Sequence, residues 1–365
     1  MPAGAPPEHT PRLALLGCPL DSDERHQAVE AKRAALGRPP VDPLDRVLQH
    51  LRGEVDPSRW YEAARLEVPP WLWPIPPPEE AEALAVENFV HFIDADGCRD
   101  FAQSAGRMAA QAALPEVPCL VGVDHSLAGG VMARLAQEYG PRELGVVVLD
   151  SHTDAIPTPA LCGAIAYDRE HNPHSPYQAD DPFLRHRPHS YNASSFLRHL
   201  LDEGLLEPRN LLLVGVCDHP PRHAFRLKDP RLQDYLDAYR RLKEQGVRLV
   251  TRKDLSKGTG KLQALLRSLR VSRLYVSVDL DVGSQRAVSA VRFDERVGLG
   301  RGQLYRVAQV IAGRLGRGTA LAGLDLCEFD CRRAEQDPAV YRVAADLIQI
   351  LAWGRKAGEL QGTLR

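Results

Sequence analysis

The chain predicts an α/β protein built on a mainly parallel sheet with helices on both sides. Three observations carry that prediction. Short apolar runs recur at residues 13–16, 119–123, 145–149, 211–216, 247–250, 274–278 and 320–326. Each run is continuous rather than alternating, which is the pattern of a strand buried on both faces. Longer amphipathic stretches separate most of them, and helical crossovers of that kind join parallel neighbours.

Taken in order, a Pro-rich start leads into the run 13–16, a first strand that breaks at Gly17-Cys18-Pro19. The polar segment 21–36 has helical composition and reads as a first helix. Residues 60–78 are rich in Trp and Pro and end in Trp73-Pro74-Ile75-Pro76-Pro77-Pro78. A string of prolines supplies too few donors for a helix interior or a central strand, so this stretch is expected to be an ordered loop packed by its tryptophans. From about residue 81 strands and helices alternate. The helix after residue 125 has a buried face that includes Met132, Leu135 and Tyr139. Residues 156–190 break the rhythm with many prolines and with His171, His174, His186 and His189, and are expected to form a long functional surface loop. No repeat is present, and the chain reads as a single domain over 1–365 with an extended N-terminal part of about 80 residues.

Charge and composition exclude several functions. With 46 Lys+Arg against 48 Asp+Glu, the net charge of −2 leaves no basic footprint for generic binding to a phosphate backbone, so nucleic acid is not an expected partner. No run approaches the ~20 apolar residues of a membrane span, and the first residues lack a leader pattern, so no membrane partner and a cytoplasmic location are expected. Seven scattered cysteines with no C-x-x-C pair read as reduced thiols. Gly258-Thr259-Gly260-Lys261 is no phosphate-binding loop, since Leu262 takes the Ser/Thr place.

Chemistry is concentrated at three strand ends. Asp150, His152 and Asp154 follow the run 145–149 at alternate positions, and in extended backbone such positions point to one side. Asp279 and Asp281 repeat the spacing after 274–278, and Asp124-His125-Ser126 follows 119–123. An Asp at one strand end is ordinarily a turn former or helix cap. Three such ends are different, because carboxylates gathered outside the carboxyl edge of a parallel sheet repel one another unless cations neutralise them. Carboxylate oxygens with two imidazoles suit a hard or borderline divalent ion such as Mn²⁺.

These motifs resemble those of the ureohydrolase family of arginase, agmatinase, guanidinobutyrase and formiminoglutamase. Val121-Gly122-Val123-Asp124-His125-Ser126 is similar to the family's Gly-Gly-Asp-His-Ser, Asp150-Ser151-His152-Thr153-Asp154 to its Asp-Ala-His-x-Asp, and Ser277-Val278-Asp279-Leu280-Asp281 to its Ser-x-Asp-x-Asp. Gly323-Leu324-Asp325-Leu326-Cys327-Glu328 resembles its Gly-Leu-Asp-x-x-Glu. The resemblance implies an arginase-like three-layer α/β/α fold and a homo-oligomer. It implies two Mn²⁺ per chain, held by His125, Asp150, His152, Asp154, Asp279 and Asp281. It further implies hydrolysis of a guanidino group to urea and an amine, Asp154 handling the proton and Glu328 pairing with the guanidinium.

Three departures concern the substrate. Residues 155–190 contain no match to the arginase stretch that holds the α-carboxylate of free arginine. The nearest parallel to the family's His-Gly element, around Ser190-Tyr191-Asn192, lacks its histidine, leaving His189 or Tyr191 as proton shuttle and Asn192 as a substrate contact. In Gly215-Val216-Cys217-Asp218-His219-Pro220 a proline stands where the family's last carboxylate meets the α-amino group, with Asp218 kept as a substrate contact. The usual Asp-Pro after the last metal pair is absent. Unpartnered charges on a buried amino acid head are costly, so the expected substrate is a guanidino compound with that head absent or blocked. Arginine within a precursor peptide, giving an ornithine side chain, comes first; agmatine, 4-guanidinobutyrate or formiminoglutamate-type chemistry is the alternative. Rival readings are a deacetylase relative with one metal and a non-catalytic, metal-stabilised binding protein.

Overall fold

The computed structural model describes residues 11–361 apart from 186, 294–297 and 317; His186 therefore lies outside the described residues. Eight strands form one sheet: β1 (Leu13–Cys18), β2 (Trp60–Arg65), β3 (Val117–Gly122), β4 (Leu144–Leu149), β5 (Leu211–Val216), β6 (Arg248–Thr251), β7 (Arg273–Asp279) and β8 (Ala320–Cys327). Their order is β2-β1-β3-β8-β7-β4-β5-β6, and every pairing is parallel.

The continuous apolar runs exist because both faces are covered. In β4, Val147 and Leu149 join one core layer with the helices Pro43–Glu54, Arg301–Ala312 and Ala339–Trp353, while Val146 and Val148 join the other with Gly97–Ala112, Ser126–Tyr139 and Pro230–Gln245. Register then aligns the strand ends. Leu149 pairs with Val278, Val278 with Leu326 and Leu326 with Val121, so β3, β8, β7 and β4 finish level with one another. All of the chemistry-bearing motifs therefore emerge from four adjacent strands.

One close helix contact fixes the entry to the site. A Cβ on Gly130 would lie 1.6 Å from the Ala102 carbonyl oxygen, so Ser126–Tyr139 packs against Gly97–Ala112 backbone to backbone. Only glycine permits that approach, and it sets where the residue preceding the helix, His125, can stand.

The structure corrects three expectations. Residues 60–65 form edge strand β2, not loop; the strand pairs on one side only and buries fully just Trp60, so it needs no continuous apolar run. The tryptophans do pack as expected, with Trp71 edge-on to Phe89 and Phe92 and the Trp73 Nε1 donating to the Val68 carbonyl. Within 156–190 the chain forms a helix, Thr158–His171, whose first turn accommodates Pro159; only Thr158, Ala160 and Ile165 are buried, too few to print an amphipathic stripe. The first helix begins only at His26, and Asp21 to Glu24 run buried ahead of it. All seven cysteines are free, and no helix among the described residues is long and apolar enough to cross a membrane.

Candidate metal centre and substrate cavity

The 150–154 turn begins where the Asp150 N–H donates to the Val214 carbonyl at 2.9 Å, and the Asp150 carboxylate then accepts the His152 N–H at 2.6 Å. That local loop turns both neighbours toward the sheet edge. Asp154 closes it at φ 47°, a left-handed conformation rare for a residue with a side chain. Behind the turn, the Asp218 carboxylate accepts the Thr153 N–H at 3.1 Å and its hydroxyl at 2.8 Å, and Thr153 Oγ1 also bonds the Tyr239 hydroxyl.

Two groups of ligand atoms result. Atoms of His125, Asp150, Asp154 and Asp279 lie within 4.8 Å of one another, as do those of Asp150, His152 and Asp281. His125 Nδ1 is 2.9 Å from Asp154 Oδ2 and 3.5 Å from both Asp150 Oδ2 and Asp279 Oδ2. His152 Nδ1 is 3.0 Å from Asp281 Oδ2 and 3.5 Å from Asp150 Oδ1. Asp150 thus offers one oxygen to each group. His125 is oriented through its other nitrogen, 2.8 Å from Ser277 Oγ, which donates to Asp325.

The donor set fits a pair of divalent cations. Nitrogen and carboxylate oxygen converge without sulfur, and Asp150 Oδ2 is buried with no hydrogen-bond partner. Burial, reinforced by neighbouring carboxylates, pushes Asp154, Asp279 and Asp281 above the ordinary range. Burial opposes a charged His125, yet the Asp150 and Asp154 carboxylates hold it well above the usual imidazole value. Protons thus stand in for the positive charge that this arrangement of acids requires.

Glu328 stands beside the first group, at φ 70°. Its Oε1 accepts the His125 N–H at 3.1 Å and Arg292 Nη1 at 3.2 Å, while Oε2 is buried and unpartnered. Burial pushes this carboxyl up to about 8 against the pull of Arg292. The cavity above has a volume of about 400 Å³, within the range of small-ligand sites. His152, Asp154, Asp279 and Glu328 line its floor, and Arg25, Tyr177, Asp181, Phe183 and Phe293 are among the residues of its walls.

The other residues singled out from the sequence stand elsewhere. His189 does not line the cavity; it stacks on His199 at 4.1 Å between ring centres, and burial pushes it down to about 4. Tyr191 donates to the Ser126 carbonyl at 2.8 Å and braces the start of that helix. Asn192 turns inward, donating to Thr158 Oγ1 and accepting the Ser194 N–H, so that Ala193 and Ser194 line the cavity in its place. Asp218 supports the 150–154 turn from behind and is likewise not a lining residue. Conversely, sequence reading passed over Arg292 and the 21–25 segment. Arg292 is buried against Glu328, Asp124 and Asp21. The signal for the segment was present: a run of charges, Asp21-Ser22-Asp23-Glu24-Arg25, directly after the end of β1.

Comparisons with known proteins agree with this geometry. The profile of the Arginase family matches residues 78–353. Proclavaminate amidinohydrolase of Streptomyces clavuligerus is 31% identical over 187 residues, covering 50% of this chain and 45% of that protein, so the match spans somewhat under half of the relative's length. Among solved structures, arginase from Bacillus subtilis superposes with a TM-score of 0.59 at 16% identity, over 95% of this chain and 99% of the other. A formiminoglutamase from Trypanosoma cruzi, solved with Mn²⁺, gives 0.57 at 13% identity over 95% of each chain. The level ends of β3, β8, β7 and β4, the two ligand groups they carry and a family match over most of the sequence lead to one conclusion: the chain belongs to the arginase family.

Proposed function

We propose that the protein hydrolyses the guanidino group of an arginine-type substrate to urea and an amine, using two Mn²⁺ held by His125, Asp150, Asp154 and Asp279 and by Asp150, His152 and Asp281. The observation that carries this reading is Glu328: one oxygen is tied down by His125 and Arg292, and the other is buried, unpartnered and next to the ligand atoms.

When bound, such a metal pair supplies the Lewis acidity that makes water a nucleophile at neutral pH. Glu328 Oε2 pairs with the substrate guanidinium and fixes its plane against the ligand groups, a charge-assisted contact that also lowers the entropic cost of reaching the reactive geometry. Asp154, on the cavity floor, takes the proton released when water adds to the guanidinium carbon and passes it to the departing nitrogen. The bond from carbon to the substituted nitrogen breaks, leaving urea and a protonated amine.

The substrate's far end is argued from what the cavity lacks. Asn192 is spent on Thr158 and Ser194, and Pro220 stands in place of a carboxylate, so neither of these positions supports a free amino acid head. This favours a head that is absent or blocked, as in arginine within a peptide or in a small guanidino compound. A cavity of about 400 Å³ admits a single side chain or small ligand, so a peptide would enter by its arginine side chain alone.

Urea release tests the reading, using Mn²⁺-loaded protein with free arginine, agmatine, 4-guanidinobutyrate and arginyl peptides, alongside elemental analysis. Two metals per chain and urea from at least one compound are expected. One zinc per chain with amide hydrolysis would favour the deacetylase reading, and efficient use of free arginine alone would overturn the argument from the missing head.

A further inference from the structure

A second cavity, of about 220 Å³, shares no lining residue with the first. It lies between the helix Pro43–Glu54 and the segment that runs from the end of β8 into the helix Ala339–Trp353. The space is smaller than a drug-sized ligand needs and large enough for a small ion. Buried Cys331, Ala334 and Tyr341 make its floor, and exposed Arg46, Gln49 and Glu335 stand at its rim.

The floor holds an unanswered donor. Tyr341 is 4% exposed, and its hydroxyl has no nitrogen or oxygen partner. The ring stacks on Phe329 at 5.6 Å between centres, so the hydroxyl is held in place before any ligand arrives. The Cys331 thiol beside it is a weak partner; burial pushes that thiol up, so it stays protonated and sets no negative charge at the floor. A buried hydroxyl left this way is costly, and an acceptor in the cavity removes the cost.

The rim supplies charge. Arg46, Gln49 and His50 are three and four residues apart on one helix and share a face. None of these side chains makes a hydrogen bond or ion pair among the described residues. The Arg46 charge is felt at the Tyr341 hydroxyl, so rim and floor serve one space. Burial and nearby Arg342 hold His50 below the ordinary imidazole value, and the neutral ring still offers one N–H. Arg342 itself is paired with Glu54 and Asp346. Glu335 is the competing acid, and one of its oxygens is taken by Arg38 at 3.0 Å.

We propose that this cavity is a second ligand site, for a phosphate-sized oxyanion bound by Arg46, Gln49, His50 and the Tyr341 hydroxyl. Donors come from a helix face and from the floor rather than in one plane, which suits tetrahedral oxygens better than a planar carboxylate. Arg46 brings the charge-assisted contact, and the buried hydroxyl gains the acceptor it lacks. The site and the ureohydrolase reading stand independently.

Calorimetric titration of the Mn²⁺-loaded full chain with inorganic phosphate, at fixed ionic strength, tests the site. One phosphate per chain is expected with a Kd near or below about 1 mM, weakened at least about tenfold in Arg46→Met and about threefold or more in Tyr341→Phe. Arg107→Met, on a helix packed against the opposite face of the sheet, should leave binding unchanged. Absence of saturable binding, or binding that persists in both R46M and Y341F as it would at the metal centre, overturns the proposal. So does an equal loss in R107M, which would mark general charge attraction. Acetate binding as tightly as phosphate overturns the choice of a tetrahedral ion. Glycerol 3-phosphate separates the two sources of the group, tighter binding than phosphate assigning an ester and weaker binding the free ion. Arg46 is exposed, so its variant keeps the test standing even if Y341F fails to fold.

Discussion

At the scale of single residues, the site is defined by what each carboxylate has left to bind. Glu328 keeps one oxygen free, so E328Q, which preserves shape and removes charge, is expected to lower kcat/KM on the order of 10²-fold or more while elemental analysis still finds two metals per chain. Arg292 plays the opposite part. It is buried among Glu328, Asp124 and Asp21, and Arg292→Met would leave those acids without their cation, a loss of about 3–5 kcal/mol expected in urea unfolding. Glu24 gives a pH signature away from the metal ligands. It shares Arg187 with Asp94, and burial pushes its carboxyl up to about 7 despite that arginine. The folded state then holds a proton that the unfolded chain has released by about pH 4.5, the ordinary value. The stabilisation is complete below that pH and is lost as pH rises through about 7. Glu24→Gln should therefore flatten the decline in unfolding free energy between pH 5 and 8 measured on metal-free protein.

At the scale of elements, the helix Ser126–Tyr139 connects packing to chemistry. Its first residue follows His125, and its Gly130 touches the Ala102 carbonyl, so adding one methyl there displaces the helix and the imidazole together. Gly130→Ala is expected to cost about 1–3 kcal/mol in denaturant unfolding and to weaken Mn²⁺ binding in calorimetric titration. A loss of stability with unchanged metal affinity would separate the helix from the site. Asp124, whose carboxylate accepts the Ser126 N–H and hydroxyl, caps the same helix; its value lies in holding the N-terminus rather than in reaching a metal.

At the scale of the whole molecule, burying several acids outside the carboxyl edge of one sheet makes stability depend on cations. Stripping metal with a chelator should lower the unfolding midpoint, and saturating Mn²⁺ should restore it, by roughly 2.7 kcal/mol at a hundredfold excess over Kd. The recovery should grow from pH 6 to pH 8, because ligands that hold protons must release them to bind metal. An apo-protein as stable as the metal-loaded one would argue against a filled pair. The small net charge of −2 hides this local demand, since the buried arginines Arg25, Arg187, Arg292 and Arg332 are paired with other acids, among them Asp23, Glu24 and Asp21, and not with the aspartates of the two ligand groups.

Much of this was legible in the sequence because it depends on local rules. A strand buried on both faces must be apolar throughout, so seven of the eight strands announced themselves, and alternate Asp and His positions after such a strand must face one way. Edge strand β2 and the helix Thr158–His171 were not legible: one pairs on a single side, the other buries three residues, and neither condition leaves a periodic apolar trace. The shuttle and substrate contacts expected at His189 and Asn192 depended on which way one short turn faces, and packing against His199 and Thr158 decided that. Arg25 and Arg292 are ordinary arginines in sequence. Only the register that sets β1, β3, β8 and β7 side by side brings Arg25 to the cavity and Arg292 against Glu328, because charges from distant segments acquire a common role only when the fold shields them from water together.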